Sequence, residues 1–278
     1  MNCTSWTTTM TRPQPRLLPQ PAWSGCGAIT QLNSLAGGFD PISLKQMDGV
    51  ALLNRIDTKF VMTTGQMLCT LAQLQPDYWM LAVKGQRLNH YRTLYFDTSD
   101  FALYHAHVNE RPERYKVRSR KYTDSQLSFL EVKHRTRKDR TIKERIRTSE
   151  QVEQMNPEMA TWLNSVAPLD GSSLKPKLWN TFSRLTLVSK QYCERVTLDV
   201  DLSFSSDDKQ VQLDGIAIAE VKMDSASCNS PFLVQMLSQR IRQRGFSKYA
   251  MGIALLYDGV KKNSLKPKML WLDKMMIC

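Results

Sequence analysis

Within the run 114–122 (RYKVRSRKY) every second residue from 114 to 120 is basic: Arg114, Lys116, Arg118 and Arg120 share one parity, with Tyr115 and Val117 among those between them. In an extended chain, residues i and i+2 project from the same face, so such a run presents one charged surface and one that is largely apolar. The pattern recurs. Lys143, Arg145 and Arg147 oppose Ile142, Glu144 and Ile146, while Arg195, Thr197, Asp199 and Asp201 oppose Val196, Leu198, Val200 and Leu202. Glu131 and Lys133 oppose Leu130 and Val132, and Glu220 and Lys222 oppose Ala219 and Val221. Extended runs of this kind cover 55–63, 90–97, 113–122, 127–135, 140–148, 194–204 and 211–223, which predicts an antiparallel sheet system.

Two readings of the charged faces are open. Each is, on its own, the solvated side of an ordinary antiparallel sheet. Taken together they carry one sign over several strands, and like charges on neighbouring strands repel. Closing the sheet, apolar faces outward beneath helices, converges the basic faces on one bore and removes exposed edges. A multiply charged anion in that bore offsets the repulsion. The expected fold is therefore α+β: a closed eight-stranded antiparallel β-barrel with flanking helices. Helices are predicted over 65–75, 149–166 (capped by Ser149), 231–243 (ended by Gly245) and 248–257. Asp40 and Pro41 open one or two short helices over 40–53.

Between Arg111 and Arg147 there are 14 Lys/Arg against 5 Asp/Glu, a large part of the formal charge of +12 on the 278-residue chain. Such concentration implies a polyanionic partner. Cys3, Cys26, Cys69, Cys193, Cys228 and Cys278 show no CxxC spacing, so they signal neither a zinc site nor a disulfide framework and read as cytoplasmic thiols. Residues 1–38 read as a disordered leader, 39–258 as one domain and 259–278 as an irregular tail. No apolar run is long enough to span a bilayer.

The motifs RIDTKF (55–60), LYFDT (94–98), RYKVRSRKY (114–122), LEVK (130–133), IKERI (142–146), FSRL (182–185), RVTLD (195–199), AEVK (219–222) and FSKY (246–249) stand in one order. With them the sequence, from about Ile42 to Tyr257, resembles the VTC (vacuolar transporter chaperone) catalytic domain, the polyphosphate polymerase of the triphosphate tunnel metalloenzymes. The resemblance implies a tunnel in which Lys59, Arg118, Arg120, Lys133, Lys143, Arg184, Arg195 and Lys248 grip phosphates. Ser247, Lys116, Lys222 and Phe182 would line the substrate, and Glu220, with Glu131, would hold Mn²⁺ or Mg²⁺. Two positions depart from the pattern. The wider superfamily opens on an ExExK strand, whereas Arg55, Asp57 and Lys59 stand here. Phe182 stands where a phosphate-contacting Tyr is expected.

These residue types suit phosphoryl transfer, which needs phosphates held in line and charge neutralised rather than covalent help. Arg118 and Arg120 offer planar forks; Lys59, Lys133, Lys143 and Lys248 act as point charges. Mg²⁺ commonly takes one or two carboxylates plus phosphates and water, so Glu220 suffices, with Asp57, Glu131, Asp199 and Asp201 as candidate helpers. Glu131 with Lys133 reads equally as a plain charge pair. Ser247 and Lys248 either start a helix that presents N–H groups to an anion or only cap it. His90, His105, His107 and His134 read as surface or rim residues. The leading function is a polymerase that moves the γ-phosphate of ATP onto inorganic polyphosphate, with an integral-membrane partner left open. Hydrolysis of triphosphates and a non-catalytic polyphosphate or inositol-phosphate binder are the alternatives. Nucleic-acid binding is set aside because the basic residues alternate inward without a regular aromatic platform.

Overall fold

The computed structural model describes residues 26–48, 56–138, 140–224 and 230–277. The expected disorder of residues 1–25 and the departure at Arg55 lie outside the described residues. The chain begins with α1 (Cys26–Gly37), β1 (Asp40–Ile42), α2 (Leu44–Asp48), β2 (Ile56–Thr63), α3 (Thr64–Leu74), β3 (Tyr78–Leu81), β4 (Asn89–Asp97) and α4 (Ala102–Val108). It continues through β5 (Arg114–Tyr122), β6 (Leu127–Arg135), β7 (Thr141–Thr148), α5 (Pro157–Val166), β8 (Lys175–Ser189), β9 (Glu194–Ser205), β10 (Gln210–Leu213) and β11 (Ile216–Met223). It closes with α6 (Pro231–Ser238), α7 (Lys248–Leu256) and α8 (Lys266–Ile277).

Eight strands form one path in the order β2-β11-β9-β8-β4-β5-β6-β7, antiparallel at each step. The alternation read from the sequence sets its faces. Phe60, Met62, Leu198, Val221 and their neighbours bury one face beneath α1, α3 and α6. Leu94, Val117, Leu130 and Val132 bury the same face beneath α5. The basic residues take the other face.

The expected closure by strand pairing is not there: among the described residues β2 and β7, the two ends of the path, do not pair. The reason is local. The free edge of β2 is taken by the segment after α6, where Gln243 bridges Phe60 and the Arg244 N–H donates to the Lys59 carbonyl at 2.8 Å. β7 is left as an edge, exposed along most of its length.

The helix α7 covers one end of the inner face. Tyr249, Ala250, Met251 and Ile253 pack there against Val61, Tyr95, Leu178, Leu202, Phe204 and Ile218. A Cβ on Gly252 would stand 2.6 Å from Leu178 and 2.7 Å from Phe204, so only glycine admits this approach. Leu202 and Phe204 reach the inner face because β9 kinks at Asp201, whose φ is +52°, beside a register shift against β8. The parity expected for 194–202 therefore holds only as far as Val200. Asp201 leaves the series and lines a cavity of about 230 Å³ with Ile29 and Leu32 of α1.

Several boundaries also correct the sequence reading. Residues Cys26–Gly37, placed in the leader, are helical, as are Lys266–Ile277 of the expected irregular tail. α5 begins at Pro157 rather than at Ser149, because Asn156 supplies the capping oxygen to the Met159 N–H at 2.8 Å. α6 stops at Ser238 rather than near Gly245, as Arg240 turns into the left-handed region (φ +56°). Asp40–Ile42 is a strand parallel to β3, not a helix start; Ser43 and Gln46 form the capping box of α2.

Candidate functional site

Register brings the polar side chains of the inner face into rows. Lys59 stands opposite Glu220, Glu220 opposite Thr197, Arg184 opposite Asp199, Thr93 opposite Arg120, Arg118 opposite Glu131, and Lys133 opposite both Lys116 and Lys143. Three knots of charge result, each a carboxylate between two cations. Glu131, fully buried, takes Arg118 Nη2 at 2.6 Å and also the Lys143 ammonium. Glu220 takes Lys59 at 2.9 Å and Lys222 at 3.4 Å, and Lys222 also reaches Asp57 at 3.1 Å. Asp199 takes Arg184 Nη2 at 2.8 Å and the Lys248 ammonium.

Cations outnumber these carboxylates. Among the described residues Arg120, Lys116 and Lys133 form no ion pair; Arg120 donates to Thr93 Oγ1 at 3.1 Å and Lys116 to Ser247 Oγ at 3.1 Å. Arg195 stands on the same face, opposite Lys222. The crowding shows in the titration. Arg118, then burial, push the Lys133 ammonium down to about 6 against the pull of Glu220. Burial, then Lys59, Arg118 and Arg114, push Lys116 down to about 7. Burial lowers Lys248 to about 8, with Asp199 opposing. The carboxylates move the other way. Burial alone would raise Asp199, yet Arg184 and Lys248 outweigh it and hold it at about 2. In Glu131 burial is outweighed by Arg118, Arg120 and Lys143, and in Glu220 by Lys59, Lys222 and Arg184, so both sit well below the usual range. Lys116 of β5 donates to Ser247, three residues past Arg244, whose N–H bonds the Lys59 carbonyl of β2 at the far end of the path. The sheet is therefore curled enough for β5 to face β2 across a basic bore.

The VTC domain family matches residues 54–257, most of the chain. The chain belongs to the VTC-domain family. That match supports the coarser expectation of a polyphosphate-related tunnel protein. Among solved structures, the VTC domain is similar to a candidate adenylate cyclase from Bacillus halodurans (15% identity, TM-score 0.48, 74% of this chain and 98% of that one). It is also similar to a candidate adenylyl cyclase from Hippeastrum described as having a dominant triphosphatase activity (16% identity, TM-score 0.45, 74% and 97%). A third is a candidate adenylate cyclase from Vibrio parahaemolyticus (12% identity, TM-score 0.41, 72% and 98%). Comparison with curated proteins finds no match.

Sequence reasoning missed three features of this VTC domain. The first is an aromatic floor. Phe182 lies buried and stacked on Tyr91 (5.0 Å between ring centres, 8° between planes), and Tyr122 leans on Tyr91 at 5.1 Å. Arg120, Arg184 and Lys248 lie 5.6, 5.3 and 4.5 Å from the Phe182 ring centre. Phe182 thus supports three cations through its ring face in place of the hydroxyl contact expected of a Tyr. These rings come from three strands, so no spacing along the chain announces them. The second is that His90 and His134 do have carboxylate neighbours, Asp124 at 3.0 Å and Glu113 at 3.1 Å. The third is His107, whose ring nitrogen Nδ1 is buried without a partner.

Among the described residues no group of three His, Cys, Asp or Glu gathers as a ready metal cage. The donors fit a hard cation shared with a ligand at Glu220, which keeps 21% of its side chain exposed although its oxygens face Lys59 and Lys222, the remaining coordination being left to phosphates and water. Glu131 is more deeply committed, its two oxygens facing Arg118 and Lys143.

Proposed function

We propose that this VTC domain is a polyphosphate polymerase that transfers the γ-phosphate of ATP to inorganic polyphosphate held along the bore. The supporting observation is the surplus of basic groups: Arg120, Lys116 and Lys133 sit on the inner face without ion-pair partners among the described residues. A multiply charged phosphate chain supplies what they lack. Arg118 and Arg184, each fixed by a buried carboxylate, would present their remaining N–H groups to equatorial oxygens. A Mn²⁺ or Mg²⁺ ion at Glu220, with Glu131 beyond it, would neutralise charge between phosphate groups.

In the transfer, an anionic terminal oxygen of the polyphosphate bonds to the γ-phosphorus while the bond from that phosphorus to the β,γ-bridging oxygen breaks and ADP leaves. The nucleophile carries no proton, so no base is required. Water loses a proton in hydrolysis, and Glu131, Glu220 and Asp199, each held low by its cationic neighbours, are weak bases for accepting it. This favours polyphosphate over water as acceptor. One observation favours a binding module without turnover: Glu131, Glu220 and Asp199 each already serve two cations.

Incubation of the purified chain with ATP and Mn²⁺ tests the readings together. Long-chain polyphosphate, reduced at least roughly a hundredfold by Arg118→Ala or Glu220→Ala, is the expected result. Orthophosphate release without chain growth selects hydrolysis, and metal-independent binding with no turnover selects the binding module. The described helices include none long and apolar enough to cross a membrane, so an integral-membrane partner would be a separate chain or segment.

A further inference from the structure

The helix α8 lies beyond the matched family span, yet it is built into the core. Leu272 is 1% exposed and packs in the cluster that holds α7, with Leu265, Met269, Trp271, Met275 and Met276 around it. Through Trp271 the helix meets the segment that covers the β2 edge: the Arg244 guanidinium stacks 4.0 Å over the Trp271 ring. One turn of helix earlier, the Lys268 ammonium reaches within 3.8 Å of the place a Cβ on Gly245 would occupy. Gly245 is two residues from Ser247, which accepts from Lys116, and the Arg244 N–H is bonded to Lys59. Four basic side chains from three segments, Arg114 and Lys116 of β5, Arg244 after α6 and Lys268 of α8, thus gather beside the first turn of α7. Among the described residues none of them has a carboxylate partner. His107 stands among them with a buried, unpartnered nitrogen, and burial, then Lys116, Arg114, Lys268 and Lys59, push its ring down to about 3, so it adds no charge.

We infer that Lys268 of α8 and Arg244, together with Lys116 and Arg114, form an outer anion subsite that takes a phosphate group of a chain longer than the one the central knots hold. This rests on the reading of the bore as a polyphosphate site and adds a length-dependent component to it. A short ligand satisfies Arg118, Arg120, Arg184 and Lys133 and ends there; a longer one continues past Lys116 to α8. Lys268 is a positioning residue and touches no reacting atom.

The test is calorimetric titration of the full chain, and of its Lys268→Gln and Lys268→Arg forms, with tripolyphosphate and with long-chain polyphosphate. Lys268→Gln is expected to weaken the long chain roughly tenfold and leave tripolyphosphate unchanged, the loss of one charge-assisted contact. Lys268→Arg should restore the long-chain affinity, and the thermal unfolding midpoint of all three should coincide. An unchanged long-chain affinity in Lys268→Gln, or an equal loss for both ligands, overturns the inference while leaving the central site standing. Failure of the unaltered chain to bind either ligand overturns the polyphosphate reading itself, and this subsite with it.

Discussion

Arg118 and Lys143 surround Glu131, the most deeply buried of the three paired carboxylates on the inner face, and removing that one negative member is informative. Glu131→Gln keeps the shape but leaves a buried guanidinium and a partly exposed ammonium facing each other. Loss of one partner of a buried pair costs about 3 kcal/mol, and Lys143, about a third exposed, keeps this near the lower end of the range. Urea unfolding should register that loss, and added tripolyphosphate should recover part of it. The lysines give a second test. Lys116 and Lys133, pushed down to about 7 and 6 by burial and neighbouring cations, are largely deprotonated at pH 7.5, and a polyanion raises both toward their ordinary value. Binding at that pH is therefore accompanied by proton uptake, and affinity falls as pH rises. Titrations in buffers of different ionisation enthalpy measure the uptake; its absence would mean that the ligand does not reach these two side chains.

At the scale of elements, the alternation of charge carried most of what could be read in advance. It placed β5, β6, β7 and β11 and the side chains that face the bore, because period two is a property of the strand itself. What it could not carry is a break in that period. Asp201, at φ +52°, moves Leu202 and Phe204 inward, and a non-glycine residue at positive φ leaves no mark in composition. The long strand β8 was read only as the motif around Arg184, since Trp179, Asn180 and Thr181 do not sort by polarity. The helix α8 was lost to its lysines and proline, which suggested an irregular end, although Pro267 sits in the first turn where a helix tolerates it. Leu272→Ala discriminates directly. A surface tail would lose almost nothing, whereas the packed helix should lose about 2–3 kcal/mol in chemical denaturation.

For the whole molecule, the curl of the sheet turns a net charge that favours any polyanion into a site with a width. On the proposed reading, tripolyphosphate and linear polyphosphate enter between β6 and β11, while duplex DNA meets only the rim. Thermal unfolding should show this. At equal phosphate concentration, tripolyphosphate should raise the midpoint and duplex DNA should do so far less, with both effects shrinking as salt is added. A DNA effect equal to that of tripolyphosphate would mean an open basic surface. The outer edge of β7, unpaired among the described residues, has a consequence of another kind. Its backbone offers donors and acceptors to any strand that arrives, including β7 of a second copy. Arg145 and Arg147 stand along that border, so their repulsion between molecules works as a guard against aggregation, and neutral substitutions at these two positions would endanger solubility first.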